Sequence, residues 1–170
     1  SSASGTASTK NTPSRSRRSP ACSTVVAPVS RREPRQARPK LDPSSSTNVT
    51  IAHCLIDTGD DNVAIKAGGA GPTTHVTIAH NRFWSGHGMS IGSNTNGGVR
   101  AVRVSDLTID GADNGLRIKS DRSRGGLVED VVYEDVCMRD VPNPIVLTSM
   151  YTTFPGTLLP LYRAIRLKDV

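Results

Sequence analysis

Five stretches of the chain carry one alternation of apolar and polar positions. Asn48-Val49-Thr50-Ile51-Ala52-His53 recurs as His75-Val76-Thr77-Ile78-Ala79-His80. Weaker copies run over Ala101-Val102-Arg103-Val104-Ser105-Asp106, Asp130-Val131-Val132-Tyr133-Glu134-Asp135 and Ala164-Ile165-Arg166-Leu167-Lys168-Asp169. From Val49 to Val76, Val102, Val131 and Ile165 the steps are 27, 26, 29 and 34 residues. The first four copies are each followed by a shorter apolar run: Val63-Ala64-Ile65, Met89-Ser90-Ile91, Leu116-Arg117-Ile118 and Ile145-Val146-Leu147. The interval from Ile51 to Ile65, Ile78 to Ile91, Val104 to Ile118 and Tyr133 to Leu147 is 14, 13, 14 and 14 residues.

The apolar spacing is two, the period of a strand, where helical repeats need three and four. A longer period in the twenties marks a stacked-coil array, and the signature of leucine-rich repeats is absent. The pattern therefore predicts an all-β chain folded as a parallel β-helix, with inward Val and Ile residues stacked into a continuous core. Solenoids need capped ends, and the chain stops at Val170 inside a repeat strand, so it reads as a fragment.

Residues 1–43 do not share the pattern. They are rich in Ser, Thr, Pro, Arg and Ala, and bury too little apolar surface to offset the entropy of ordering. A basic, disordered leader over 1–43 and a partial β-helix over 44–170 are expected. The charge divides the same way. The formal net charge is +6, but residues 1–40 hold nine Lys/Arg against Glu33, which leaves −2 for the other 130 residues. The basic character belongs to the leader, which argues against nucleic acid as the body's partner. Off-frame translation of a GC-rich gene would also give such a leader. Cys22, Cys54 and Cys137 show no CxxC spacing, so neither a metal framework nor a dense disulfide scaffold is expected. No apolar run approaches the roughly 18 residues of a transmembrane helix, and no signal peptide is visible.

The register also places polar residues. Stacked coils bring equivalent positions roughly 4.8 Å apart. Asp61 lies four residues before Ile65 and His87 four before Ile91, so the two should stack, with Asp60 beside them. One coil on, Arg117 and Lys119 flank the inward Ile118 and share the outward face. Gly86 and Gly88 should leave space around His87. Singly these are weak signals: Gly-Asp-Asp is commonly a polar turn, a lone His structural, Arg-x-Lys a solvated face. Together they point to acid/base chemistry beside an anion site, since paired carboxylates hold their pKa values apart and Arg grips carboxylates bidentately. An anionic sugar polymer along a solenoid groove fits this arrangement. A phosphate ester fits the cations, but not the paired acids without a metal.

Gly59-Asp60-Asp61, Gly86-His87-Gly88 and Arg117-Ile118-Lys119, in that order and spacing, resemble the polygalacturonases of glycoside hydrolase family 28. The likeness covers residues 41–170 and extends to Ser90-Ile91-Gly92-Ser93 and Asn114-Gly115-Leu116. It implies a right-handed parallel β-helix that hydrolyses α-1,4 links of pectin with inversion. It further implies a secreted monomer with no metal, no cofactor and no membrane or nucleic-acid partner. By the resemblance Asp60 is the general acid, Asp61 helps to activate water, His87 tunes the acid, and Arg117 and Lys119 hold a galacturonate carboxylate. The family also carries Asn-Thr-Asp-Gly shortly before Asp-Pro. Here Leu41-Asp42-Pro43 is preceded by Ala37-Arg38-Pro39-Lys40, with Pro39 in place of the third catalytic Asp, and the family's cysteine after the paired acids is Asn62. Impaired hydrolysis, or a non-catalytic pectin-binding remnant, is expected. Rhamnogalacturonan hydrolysis is a related activity that Arg117-Ile118-Lys119 disfavours, and endo or exo action is not legible.

Overall fold

The structure, a computed structural model, describes residues 40–170. The expected leader, apart from its last residues, and Pro39 lie outside the described residues. Ten strands account for the regular structure, with no helix among the described residues. They are β1 (Thr47–Ala52), β2 (Leu55–Asp57), β3 (Val63–Ile65), β4 (Thr73–Trp84) and β5 (Met89–Ile91), then β6 (Val99–Asp110), β7 (Asn114–Lys119), β8 (Leu127–Arg139), β9 (Asn143–Thr148) and β10 (Leu161–Lys168).

Every pairing is parallel. One sheet runs β1-β4-β6-β8-β10, with β2 also on β4, and the other runs β3-β5-β7-β9. This is a β-solenoid of about four turns. The repeat register is the pairing register: Val49 opposes Val76, Val76 opposes Val102, Val102 opposes Val131, and Val131 opposes Ile165. In the second sheet Ile65, Ile91, Ile118 and Leu147 form the matching ladder. The ladder begins ahead of β1, because Leu41 bridges to Val63 and Ser44 to Lys66.

Between the sheets lies one core of Val, Ile, Leu and Phe, closed by Ile65, Val76, Ile78, Phe83, Ile91 and Ile109, all with no solvent exposure. Corners recur at fixed register. His53, His80, Asp106, Asp135 and Asp169 all have positive φ, from 45° to 56°. They stack as one column, since the flanking residues pair in sequence. Asp and His tolerate this left-handed conformation better than most L-residues. The long strands thus bend at the same point in each coil, and the polar corner residues of the repeats are what permit it.

Candidate active site

Asp60 and Asp61 sit in the turn between β2 and β3, and His87 in the turn between β4 and β5. Thr58 builds the first turn: its hydroxyl accepts the Asp60 amide at 2.8 Å and donates to the Asp60 carbonyl at 2.7 Å. The two turns are locked together by backbone. The His87 amide donates to the Asp60 carbonyl at 2.9 Å, and the Asn62 amide to the Gly88 carbonyl at 3.0 Å. Asn62 Oδ1 accepts the Gly88 amide at 2.9 Å, and its Nδ2 reaches the Ile56 carbonyl at 3.1 Å. Asn62 therefore clamps the two turns.

The glycines act differently from the sequence expectation. Gly86 has φ +85° and Gly88 φ +73°. A Cβ on Gly88 would meet the Asn114 carbonyl oxygen at 2.1 Å, and one on Gly86 the Asp60 carbonyl oxygen at 2.6 Å. These residues let the backbones of adjacent coils close up around His87, where open space was expected. Only a residue without a side chain permits both the approach and the dihedral.

One potential ligand atom from each of Asp60, Asp61 and His87 lies within 4.8 Å of the others. The two carboxylates nonetheless face different surroundings. Asp60 is exposed, with 52% of its side chain accessible, while Asp61 is 2% accessible. Asp61 accepts from the Ser90 hydroxyl at 2.8 Å, from Lys119 Nζ at 2.8 Å and from Arg117 Nη2. Arg117 Nε donates to the Ser90 hydroxyl at 3.1 Å. Arg117 and Lys119 do lie opposite the inward Ile118, as alternation requires, but they are buried. The Tyr151 ring covers them, its centroid 4.9 Å from Lys119 Nζ and 6.0 Å from the Arg117 guanidinium carbon. The expected anion patch is occupied internally by Asp61.

His87 lies between two acids. Its Nδ1 is 3.5 Å from Asp60 Oδ1, and its Nε2 is 3.4 Å from Asp113 Oδ2. On the other side of Asp60, Lys40 Nζ sits 2.6 Å from Oδ2. This ammonium lowers the Asp60 pKa to about 2, against a partial opposing push from burial. Asp42 Oδ2 lies 2.8 Å from Lys66 Nζ and 3.9 Å from Lys40 Nζ. The cluster of Asp60, Asp61 and His87 has the spacing of a metal site, yet cations of the chain already balance both carboxylates. Lys40, Ser90, Asp113 and Tyr151 carried no role in the sequence reading. Ser90 lies in a repeat strand and Asp113 just ahead of one, so register could have found both. Lys40 and Tyr151 lie in connecting segments, where it is silent.

Comparison with known proteins places this geometry. The profile of the glycosyl hydrolases family 28 matches residues 33–170. A polygalacturonase of Ralstonia solanacearum is 52% identical over 133 residues, covering 76% of this chain and 25% of that protein. An endo-polygalacturonase of Pectobacterium carotovorum subsp. carotovorum is 51% identical over 131 residues, covering 76% and 32%. The solved structure of a polygalacturonase from Erwinia carotovora ssp. carotovora superposes with a TM-score of 0.72 at 50% identity, over 76% of this chain and 34% of that one. The chain thus spans about a quarter to a third of these relatives. A match running through all four coils, including the turns that carry Asp60, Asp61 and His87, makes the chain a member of glycosyl hydrolase family 28.

Proposed function

We propose that these coils carry the cleavage centre of a polygalacturonase-type glycoside hydrolase acting on pectin. The observation that carries the reading is the convergence of Asp60, Asp61 and His87 on two successive coils, with Arg117 and Lys119 tied to Asp61 from the third. Asp60 is the only one of the two acids that solvent reaches freely, which suits it to protonate a glycosidic oxygen. His87, beside it, can assist that protonation. Asp61 is the base that helps to activate water. Arg117 and Lys119 hold a galacturonate carboxylate, and that carboxylate competes with Asp61 for the same donors. The exchange of one carboxylate for another conserves charge and releases Asp61 toward the water. Inversion needs one group to protonate the leaving oxygen and another to take the water's proton. The polymer is extracellular, so the reading carries secretion with it.

A second reading is a pectin-binding remnant without turnover. It is favoured by the Lys40–Asp60 ion pair, which disfavours the protonated form that an acid catalyst requires. Incubation of the 170-residue chain with polygalacturonate separates the two. Release of reducing ends, with the first product in the inverted anomeric form by proton NMR, supports the hydrolase. Binding to immobilised polygalacturonate without release supports the remnant.

A further inference from the structure

Six charged or titratable groups form an alternating chain across the mouth of the site. Lys66 Nζ lies 2.8 Å from Asp42 Oδ2, and Asp42 Oδ2 lies 3.9 Å from Lys40 Nζ. Lys40 Nζ is 2.6 Å from Asp60 Oδ2, Asp60 Oδ1 is 3.5 Å from His87 Nδ1, and His87 Nε2 is 3.4 Å from Asp113 Oδ2. Each link joins a cation or an imidazole to a carboxylate. The second carboxylate of the site, Asp61, is saturated from the other side by Arg117 and Lys119. Asp60 is therefore faced by Lys40, His87 and Asp61, with Asp42 and Asp113 one step removed.

We propose that Lys40 is a positioning residue that locks Asp60 as a carboxylate and withholds the proton the leaving group needs. This rests on the reading of Asp60 as the general acid. The contact is shorter than an average neutral hydrogen bond, as a charge-assisted pair should be. Among the described residues Lys40 is the one polar partner of Asp60 Oδ2, while Oδ1 also accepts the Asp61 amide at 2.7 Å, a further bond that favours the ionised form. The consequence is quantitative. With the Asp60 midpoint at about 2, about one molecule in 1,000 carries the proton at pH 5. At the ordinary value of 3.8 the figure is about one in 17, some 60-fold more. Lys40 follows Pro39 in the segment Ala37-Arg38-Pro39-Lys40, so one short stretch both lacks the third acid and supplies a cation to the first.

The test is carboxyl-carbon NMR on the full 170-residue chain labelled at aspartate, with Asp60 assigned by Asp60→Asn. Three proteins are compared: the unaltered chain, Lys40→Met and Lys40→Arg. Between pH 3 and 6 the unaltered chain and Lys40→Arg should show no Asp60 midpoint, whereas Lys40→Met should show one near 4. An Asp60 midpoint near 4 in the unaltered chain, or none above 3 in Lys40→Met, overturns the lock. The readout needs no substrate. If Lys40→Met frees Asp60 and polygalacturonate is still neither cleaved nor bound, the lock stands and the pectin reading of this chain fails.

Discussion

Lys119 reaches Asp61 across two coils of the solenoid, Nζ to Oδ2 at 2.8 Å, although 58 residues separate them in the chain. Both side chains are buried, at 6% and 2% accessible. Arg117 joins from the same strand, and Ser90, on the coil between, bonds to both Arg117 and Asp61. Charge therefore ties the turn ahead of β3 to the outer face of β5 and β7, while the inner face of the three strands is held by Val63, Ile65, Met89, Ile91, Leu116 and Ile118. A buried ion pair is weak evidence for net stability. Breaking it by removing one partner is costly, because an uncompensated charge stays behind.

The first prediction follows from that asymmetry. Asp61→Asn keeps the shape and leaves two buried cations facing an amide, so it should lower unfolding free energy by about 3 kcal/mol. Lys119→Met should restore part of the loss when added to it, with a coupling of roughly 1–3 kcal/mol. Urea denaturation of the two single variants and the double variant measures this. Additive effects would mean that the pair does not form.

Gly88 is predicted to be irreplaceable. Its φ of +73° and the Asn114 carbonyl oxygen 2.1 Å from a built Cβ leave alanine no room. Backbone strain and overpacking each cost about 1–3 kcal/mol, so Gly88→Ala should lose roughly 2–5 kcal/mol and loosen the His87 turn. Gly59 is the control, because a Cβ there meets nothing within 4 Å. Thermal melts in which Gly88→Ala behaves like Gly59→Ala would contradict the packing described.

The repeat made the ladder legible because inward Val and Ile residues must stack in register, and a one-residue slip would turn every side chain to the other face. Val49 to Ile165 and Ile65 to Leu147 could thus be paired from the sequence, and the approach of Asp60, Asp61 and His87 to one another was anticipated with them. The occupancy of the outer face was hidden. Alternation says that Arg117 and Lys119 leave the core, yet says nothing of Tyr151 folding over them from the loop after β9. Glycine beside a histidine suggests freedom in a sequence, whereas the neighbouring coil uses that freedom for close backbone contact. Lys40 was invisible for the same reason as Tyr151: segments outside the repeat have no register to argue from.

Tyr133 carries a cost that the fold can shed. It is 2% exposed in the core, and its hydroxyl has no hydrogen-bond partner among the described residues. Burial pushes its pKa far up, as expected for a phenol surrounded by apolar groups. Removing an unsatisfied buried hydroxyl recovers its desolvation penalty, so Tyr133→Phe should stabilise the chain by about 1 kcal/mol, read as a higher urea midpoint. A destabilisation of similar size would mean that the hydroxyl has a partner.

The Lys40–Asp60 pair also gives stability a pH dependence. Asp60 has a folded-state pKa of about 2, below its ordinary value of 3.8. Its contribution is therefore fully present above about pH 4 and is lost as pH falls through about 2. Lys40→Met should flatten this part of the acid-stability profile, and salt should weaken the unaltered chain's share because the pair is open to solvent. Urea midpoints at pH 2.5, 3.5 and 5.5 measure it. Parallel profiles for the two proteins would show that the pair contributes nothing in solution.

The last prediction concerns turnover. Rebuilding Ala37-Arg38-Pro39-Lys40 as Asn-Thr-Asp-Gly changes two things at once. It supplies a carboxylate where Pro39 stands, and it removes the ammonium from Asp60. A positioned proton-transfer group typically contributes about 100- to 10,000-fold, so the rebuilt chain should release reducing ends from polygalacturonate at least about 100-fold faster. Lys40→Met alone isolates the second change. At pH 5 it raises the protonated fraction of Asp60 by about 60-fold where the carboxyl returns to its ordinary value of 3.8, and it still lacks the added carboxylate. The rebuilt chain should exceed it by a further factor of about 100 or more. The order unaltered, Lys40→Met, rebuilt is the expected outcome. If the unaltered chain already matches the rebuilt one, Pro39 does not replace a catalytic acid. If Lys40→Met matches the rebuilt chain, the whole deficit comes from the ammonium beside Asp60.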